Sequence, residues 1–355
     1  MRAFSLSLAT VITMASSTFA LAAPNSEQMQ AIILASADQH FAPRYQALAE
    51  TSATLASKVA ATCNDPGQLD EAKTAYHQAM DAWQGIQHMQ VGPVTTLMRN
   101  FSMQYWPDTK NQGSRHLGKL LASNDPSQIS QDALAHASIA VKGFPAMERL
   151  LFSDKELTGF RCDTAAAISQ YIATQAKDIT LEWPDFRDNG LATAADVNDY
   201  YDEQLEAFVD VMKALVEPVE ALRDQKLLRP LGASIEKAAP RRAESWRSER
   251  SLKNLKLNLQ ALSELYNGLN AEHTLSSLLV ASGHGEIDQQ IVQAFAQIDQ
   301  HLANMPEAMA PLLTSPEGYQ NLVAVADEVK VLNYALNDAM DALEIQLGFN
   351  SRDGD

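Results

Sequence analysis

The sequence predicts an all-α protein, and three observations carry that prediction. Alanine is abundant, while runs of β-branched residues are scarce and no strand or hairpin signal appears. Apolar residues recur at three- and four-residue spacing in segment after segment, which is typical of amphipathic helices. About 330 residues remain after a predicted leader, a length suited to two domains. Each half holds about four long helices, so we expect two four-helix-bundle-like domains packed against each other.

Residues 1–22 have the layout of a secretory signal peptide. Arg2 provides a positive start, Phe4 to Ala15 is apolar, and Ala20-Leu21-Ala22 offers small residues at a peptidase site. Cleavage after Ala22 would deliver the protein to the bacterial periplasm. An ordinary buried N-terminal helix is the alternative. The apolar stretch is short for a membrane span, and no later segment is long and apolar enough to cross a bilayer.

The N-terminal domain, predicted over residues 23–190, contains helices separated by turn-forming residues. Asp65-Pro66-Gly67 is a turn, and the polar stretch from Trp106 to Gly113 is a loop. Pro43 suits the first turn of a helix. The predicted helices are Ser26–Ala37, Pro43 to Cys63, Leu69 to Trp83 with an end near Gly92-Pro93, Arg115–Ala122, Ser130–Ser138 and Thr164 to about Glu182.

The C-terminal domain, predicted over residues 191–355, follows a proline- and glycine-bounded segment from Pro184 to Gly190. That segment is the best candidate for the domain boundary. Gly283-His284-Gly285 is expected to break a helical hairpin. The predicted helices are Val197–Leu222, Ser248–Asn267, Ile287–Asn304 and Glu317–Leu347.

Charge and cysteine content restrict the partners and the compartment. The formal net charge is −17, which disfavours nucleic acid and anionic lipid surfaces and tolerates cationic partners. Only Cys63 and Cys162 occur, and in an oxidising compartment they are a plausible disulfide. Closing a loop of about 100 residues would stabilise the fold by about 4–5 kcal/mol in the chain-entropy model. Two separate buried thiols are the alternative.

Compact catalytic motifs are missing from the sequence. A zinc peptidase usually carries H-E-x-x-H on a helix. Here no two of the eight histidines are four residues apart, and none is followed by glutamate. No P-loop, dinucleotide fingerprint or G-x-S-x-G elbow appears either. A metal site assembled from distant segments stays open.

Two segments in the first half carry candidate ligand-binding groups. Gly143 and Pro145 mark a helix start, and we expect Glu148 in its first turn. Glu148 either serves helix-end electrostatics or faces a cleft between the domains as a metal ligand or a cation anchor. Trp106 and Asp108 lie in the turn-rich loop, where binding groups tend to occur. A solvated connector is the other interpretation of that loop.

The third candidate segment is the only dense basic patch of the chain, from Arg241 to Asn254. On a helix, Arg247, Arg250 and Asn254 would share one face. Arginines there are suited to hold a carboxylate in a bidentate fork, either that of Glu148 or that of an anionic ligand. A solvated basic face is the alternative.

With these residues the sequence resembles the imelysin family, exported iron-regulated proteins that include an insulin-cleaving metallopeptidase. The resemblance runs across nearly the whole mature chain. It is carried by Trp83 through Gly92-Pro93, by Tyr105-Trp106-Pro107-Asp108 with Asn111 and Gly113, by Gly143 to Phe152, by Arg242 to Ser248 with Arg250-Ser251-Leu252 and Asn254-Leu255, and by Leu347-Gly348-Phe349-Asn350 with Asp353-Gly354-Asp355.

The resemblance implies two helical bundles with a site at their interface, and a periplasmic role in iron uptake. The family's G-x-H-x-x-E motif is matched by Gly143 and Glu148, but Pro145 replaces the histidine, and proline has no ligating side chain. The sequence therefore favours a non-enzymatic binding or accessory protein for iron, another divalent metal, haem or a small ligand. A metal-dependent peptidase and a module that docks a periplasmic or outer-membrane protein are the alternatives.

Overall fold

The structure is a computed structural model that describes residues 23–268 and 272–348. The predicted leader and the acidic C-terminal end lie outside the described residues, so the signal peptide stays a prediction. All secondary structure in the described ranges is helical, which confirms the all-α prediction. None of the helices within those ranges is long and apolar enough to cross a membrane.

The first half of the chain forms eight α-helices. They are α1 Ser26–Ala35, α2 Ala42–Asn64, α3 Leu69–Gln84, α4 Arg99–Met103, α5 Gln112–Ser123, α6 Gln131–His136, α7 Phe144–Leu151 and α8 Gly159–Asp185. Short 3-10 turns join them at Pro66–Gln68, Gly92–Val94, Thr96–Met98, Pro126–Ile129 and Ile139–Val141.

The second half forms seven further α-helices. They are α9 Gln204–Ala221, α10 Arg229–Leu231, α11 Ser251–Asn267, α12 Leu275–Ala281, α13 Gly285–Ala303, α14 Ala310–Leu313 and α15 Pro316–Ala342. Two 3-10 turns, Ile235–Lys237 and Pro240–Arg242, precede α11. Three π-helical segments continue α1, α8 and α9, at Ser36–Phe41, Phe186–Leu191 and Leu222–Leu228.

Helix packing follows the apolar stripes of the sequence. In the first half α2 packs along α3 and α8, and in the second half α15 packs along α9, α13 and α14. Helix contacts also join the halves: α1 packs on α9, and α11 packs on α3 and on the π-helical segment Ser36–Phe41. The two-domain division remains a prediction, since these contacts describe neighbours rather than separate folding units.

The predicted disulfide is confirmed. Cys63 near the end of α2 and Cys162 near the start of α8 are bonded, with 5.6 Å between their Cα atoms. The bond fastens together the two helices that share the most extensive packing in the first half.

Several predicted element boundaries differ from the structure; the last helix, expected to run to Leu347, ends at Ala342. The segment from Pro184 to Gly190 is helical, because Trp183, Phe186 and Leu191 bury their side chains on the face that α8 already presents to the core. The helix expected from Val197 begins only at Gln204. Before it, the chain turns where the carboxamide of Asn198 accepts the next residues' backbone N–H groups.

Candidate functional site

A polar cavity of about 410 Å³ lies between the loop before α5, the start of α7 and the segment before α11. Its size is within the range of small-ligand pockets. The charged side chains of its lining are Asp108, Glu148, Arg149, Arg229, Arg241, Arg242, Glu244 and Arg247. The cavity joins residues from both halves of the sequence, as a site at the interface requires.

The loop that carries Trp106 is fixed by the carboxylate of Asp108. That carboxylate accepts the backbone N–H groups of Gln112 and Gly113, both at 2.8 Å, and thereby caps α5. It also lies 3.4 Å from the guanidinium of Arg149. A Cβ at Gly113 would lie 2.9 Å from that guanidinium carbon, so glycine leaves room for the ion pair. The structure thus confines Asp108 within the wall of the cavity.

Gly143 sets the start of α7. Its φ is +79°, and a Cβ there would stand 2.1 Å from the carbonyl oxygen of Ser102, so only glycine fits. The helix begins at Phe144 with Pro145 in its first turn, as expected. Glu148 is the fifth residue of the helix, just past the first turn in which it was expected and in which the helix-end interpretation places it.

Glu148 links the first half to the segment before α11. Its side chain is only 6% exposed. One carboxylate oxygen accepts the backbone N–H groups of Arg247 and Ser248, each at 3.0 Å, and the Ser248 hydroxyl at 2.9 Å. The other oxygen lies 3.9 Å from the Arg247 guanidinium. The carboxylate of Glu148 therefore holds the segment before α11 chiefly by accepting that segment's backbone N–H groups, and not through a bidentate arginine fork.

That backbone grip explains why α11 starts later than expected. Ser245 and Glu249 take left-handed backbone conformations, with φ of 48° and 57°, and the helix begins only at Ser251. Arg247 consequently lies in a turn at the cavity, and its guanidinium stacks 4.2 Å from the Trp246 ring. Burial, with help from the positive charge of Arg149, lowers the pKa of Arg247.

Arg250 and Asn254 lie outside the cavity lining. Arg250 is fully buried between α11 and α3. It donates to the carbonyl of His77 at 2.9 Å, to the side chain of Asn254 at 2.7 Å and to the carboxylate of Asp81. Arg250 and Asn254 therefore lie in the joint between α3 and α11, that is, in the packing between these two helices, and not in the cavity wall.

Glu244 connects this joint to the cavity. Its carboxylate accepts from Asn254 at 2.7 Å, lies 2.8 Å from the ammonium of Lys226, and also accepts from Gln104. Burial lowers the pKa of Lys226, and the negative charge of Glu244 opposes that shift. Sequence reasoning identified Asn254 but missed this network, because Gln104 and Lys226 lie outside the Arg241–Asn254 segment.

Three further arginines complete the cavity wall. Arg229 lies at the start of α10, with its guanidinium 5.7 Å from the Trp106 ring. Arg241 and Arg242 are exposed at the turn before Ala243. Sequence reasoning identified the 241–254 segment as basic but missed Arg229, whose only local signal is the Arg-Pro pair at a helix start.

A second, less polar cavity of about 640 Å³ lies on the other side of Gln104, Trp106 and Glu244, which line both spaces. Trp83 and Phe101 contribute aromatic surface to it. The two cavities are thus neighbours with a common wall.

The metal site implied by the G-x-H-x-x-E motif does not fit these residues. Pro145 offers no ligating side chain, and its carbonyl accepts the guanidinium of Arg149 at 2.8 Å. One oxygen of Glu148 is occupied by three donors, and the nearest charge to the other is that of Arg247. Within residues 23–268 and 272–348, no group of three or more histidine, cysteine or carboxylate side chains is arranged to hold a metal.

Comparisons with known proteins cover most of the chain. The family model for imelysin matches residues 41–336. The iron-regulated protein A of Synechococcus elongatus is 24% identical over 291 residues, which span 79% of this chain and 77% of that protein.

Solved structures share the fold at low sequence identity. An imelysin-like protein from Psychrobacter arcticum superposes with a TM-score of 0.78 at 20% identity, covering 92% of this chain and 99% of that one. A Parabacteroides distasonis protein, assigned as an iron-regulated protein A precursor, gives 0.76 at 15% identity, covering 91% and 96%.

Proposed function

Because the chain belongs to the imelysin family, we propose that it is an exported, periplasmic binding protein that serves iron acquisition. The observation that carries this proposal is the polar cavity of about 410 Å³ between the halves, which Glu148 and its hydrogen bonds to residues 247 and 248 hold in shape. A relative bears the name iron-regulated protein A. The predicted signal peptide supports the location.

Binding is a better account of this cavity than metal-dependent peptide hydrolysis. A metallopeptidase needs a metal-bound water and a general base. Glu148, the carboxylate that the family motif supplies, spends one oxygen on three scaffold donors. The cavity instead presents guanidinium groups and the Trp106 ring, which are suited to recognising the oxygens and flat faces of a ligand.

Growth under iron limitation tests the proposal. We expect deletion of the gene in its host to slow growth in chelator-treated medium and to reduce the uptake of radioactive iron. The wild-type gene and the Arg187→Gln variant, altered outside the cavity lining, should restore both. Arg247→Gln should restore neither. Unimpaired growth and uptake in the deletion strain would refute the iron role.

Peptidase activity is tested separately. The purified protein is incubated with a peptide library with and without chelator, and we expect no chelator-sensitive cleavage. Cleavage that chelator abolishes, and that Glu148→Gln also abolishes, would replace the binding proposal with the peptidase.

A further inference from the structure

The charge of the cavity opposes the charge of the protein. Five arginines line it, Arg149, Arg229, Arg241, Arg242 and Arg247, against three carboxylates. The chain as a whole carries a formal charge of −17. A concave cluster of positive charge in an acidic protein concentrates a positive potential at one place on the surface.

The three carboxylates of the lining are already engaged by hydrogen bonds or ion pairs of the scaffold. Asp108 accepts two backbone N–H groups and pairs with Arg149. Glu148 accepts two backbone N–H groups and a hydroxyl. Glu244 pairs with Lys226, which lies outside this lining. Little negative charge is therefore left to attract a metal cation into the cavity.

The arginines, in contrast, are left with unused donors. Among the described residues, Arg229, Arg241 and Arg242 form no ion pair with a carboxylate, and Arg247 reaches Glu148 only at 3.9 Å. One terminal nitrogen of Arg229 is buried without a hydrogen-bond partner. Burial and the neighbouring charge of Arg242 lower the pKa of Arg229. A buried donor without a partner destabilises the fold, and a bound acceptor would remove that penalty.

We propose that this cavity binds a small, multiply charged oxyanion, gripped by Arg229, Arg241, Arg242 and Arg247 and flanked by the Trp106 ring. Guanidinium groups match carboxylate and phosphate oxygens in a planar, two-bond geometry, and bare metal cations are repelled by them. The inference rests on the proposed function in one respect. Iron would enter this cavity as an anionic chelate, such as a ferric polycarboxylate, rather than as the free ion.

Isothermal titration of the full mature protein tests the inference, with citrate, ferric citrate, inorganic phosphate and ferric chloride as separate titrants. We expect citrate, phosphate or both to bind, more weakly at high salt because exposed charges are screened. Ferric citrate binding as tightly as citrate would identify the chelate as the iron-carrying form. If phosphate binds and citrate does not, the oxyanion site is supported and the binding of iron as a citrate chelate is refuted.

Variants separate this cavity from general charge effects. Arg229→Gln and Arg247→Gln should each weaken anion binding about 10- to 100-fold, the usual loss for a charge-assisted hydrogen bond. Arg187→Gln, which removes an equal charge outside the cavity, should leave binding unchanged. Arg229→Lys keeps the charge and should retain part of the affinity, and thermal unfolding of each variant checks that it folds.

Two results would overturn the inference. One is wild-type protein that binds none of the anions. The other is an anion affinity that Arg187→Gln lowers as much as Arg229→Gln does. This failure is distinguishable from failure of the proposed function. If the protein binds anions but the deletion strain has no growth defect under iron limitation, the oxyanion site stands and the role in iron acquisition is refuted. If the deletion strain has the growth defect but the protein binds no anion, the role in iron acquisition stands and the oxyanion site is refuted.

Discussion

Replacing Glu148 by alanine would release the segment before α11 from α7. The substitution removes the shared acceptor of three donors, two of which are the backbone N–H groups of Arg247 and Ser248. A buried donor left unpaired costs about 1–3 kcal/mol, and water can reach one of these sites, so we expect a loss of about 3 kcal/mol. Glu148→Gln keeps an acceptor oxygen in place and should lose only about 1 kcal/mol, because the charge assistance is removed.

Amide hydrogen exchange measures this loss where it occurs. At a tenfold change per 1.4 kcal/mol, the amides of residues 247 and 248 should exchange about 100-fold faster in Glu148→Ala and about fivefold faster in Glu148→Gln. Glu50→Ala, at an exposed position of α2, is the control and should change neither rate. Rates in Glu148→Ala within threefold of wild type would show that the carboxylate does not hold this segment.

Three further predictions follow from buried groups. Replacing Cys63 and Cys162 by serine should lower the free energy of unfolding by about 4–5 kcal/mol, measured by urea denaturation, and an unchanged midpoint would contradict this. The buried pair His40 and His88 stays neutral in the fold: burial lowers both pKa values, that of His88 to about 3. As the pH falls, the unfolded chain binds these protons before the folded protein does. The free energy of unfolding should therefore be highest above pH 6.5. Below that pH, each histidine should lower it by about 1.4 kcal/mol per pH unit, down to about pH 3 for His88. Acid titrations of unfolding in wild type and His88→Gln test this, and parallel curves would refute it. Arg250→Met removes the donor that the His77 carbonyl, Asn254 and Asp81 share between α3 and α11. Asp81 keeps its ion pair with Lys253, so we expect a loss of about 1.5–3 kcal/mol, typical of a hydrogen bond to a charged group. A neutral result in the same urea assay would show that the pairing contributes nothing net.

The helices were predictable because burial imposes a period on the sequence. The apolar residues of α2, α3 and α15 recur once per turn on the buried face, so their identity and approximate bounds could be read directly. The start of α9 could not, since the residues before it continue the same spacing. The helix is kept from starting earlier by the Asn198 side chain, which accepts the N–H groups of Tyr200 and Tyr201 and so favours a turn over a helix.

The candidate site was predictable only segment by segment. Glu148, Asp108 and Arg247 stood out because each occurs in a locally unusual stretch, and all three line one cavity. The roles of Glu148 and Arg247 could not be read from the letters, because these two residues are partners 99 positions apart in the sequence. Arg229 was missed for the same reason: a single arginine at the start of a short helix is ordinary until the fold sets it beside Trp106.

The bond between Cys63 and Cys162 makes a closed ring of the chain between them, and that ring contains Trp106, Asp108 and Glu148. All cavity-lining residues of the first half therefore lie within this disulfide-closed loop. Arg229, Arg241, Arg242 and Arg247 belong to the part of the chain that follows the loop. A protease that cuts the loop once leaves all three residues attached to the molecule. Such a cut would pass unseen on a non-reducing gel and appear as two fragments after reduction.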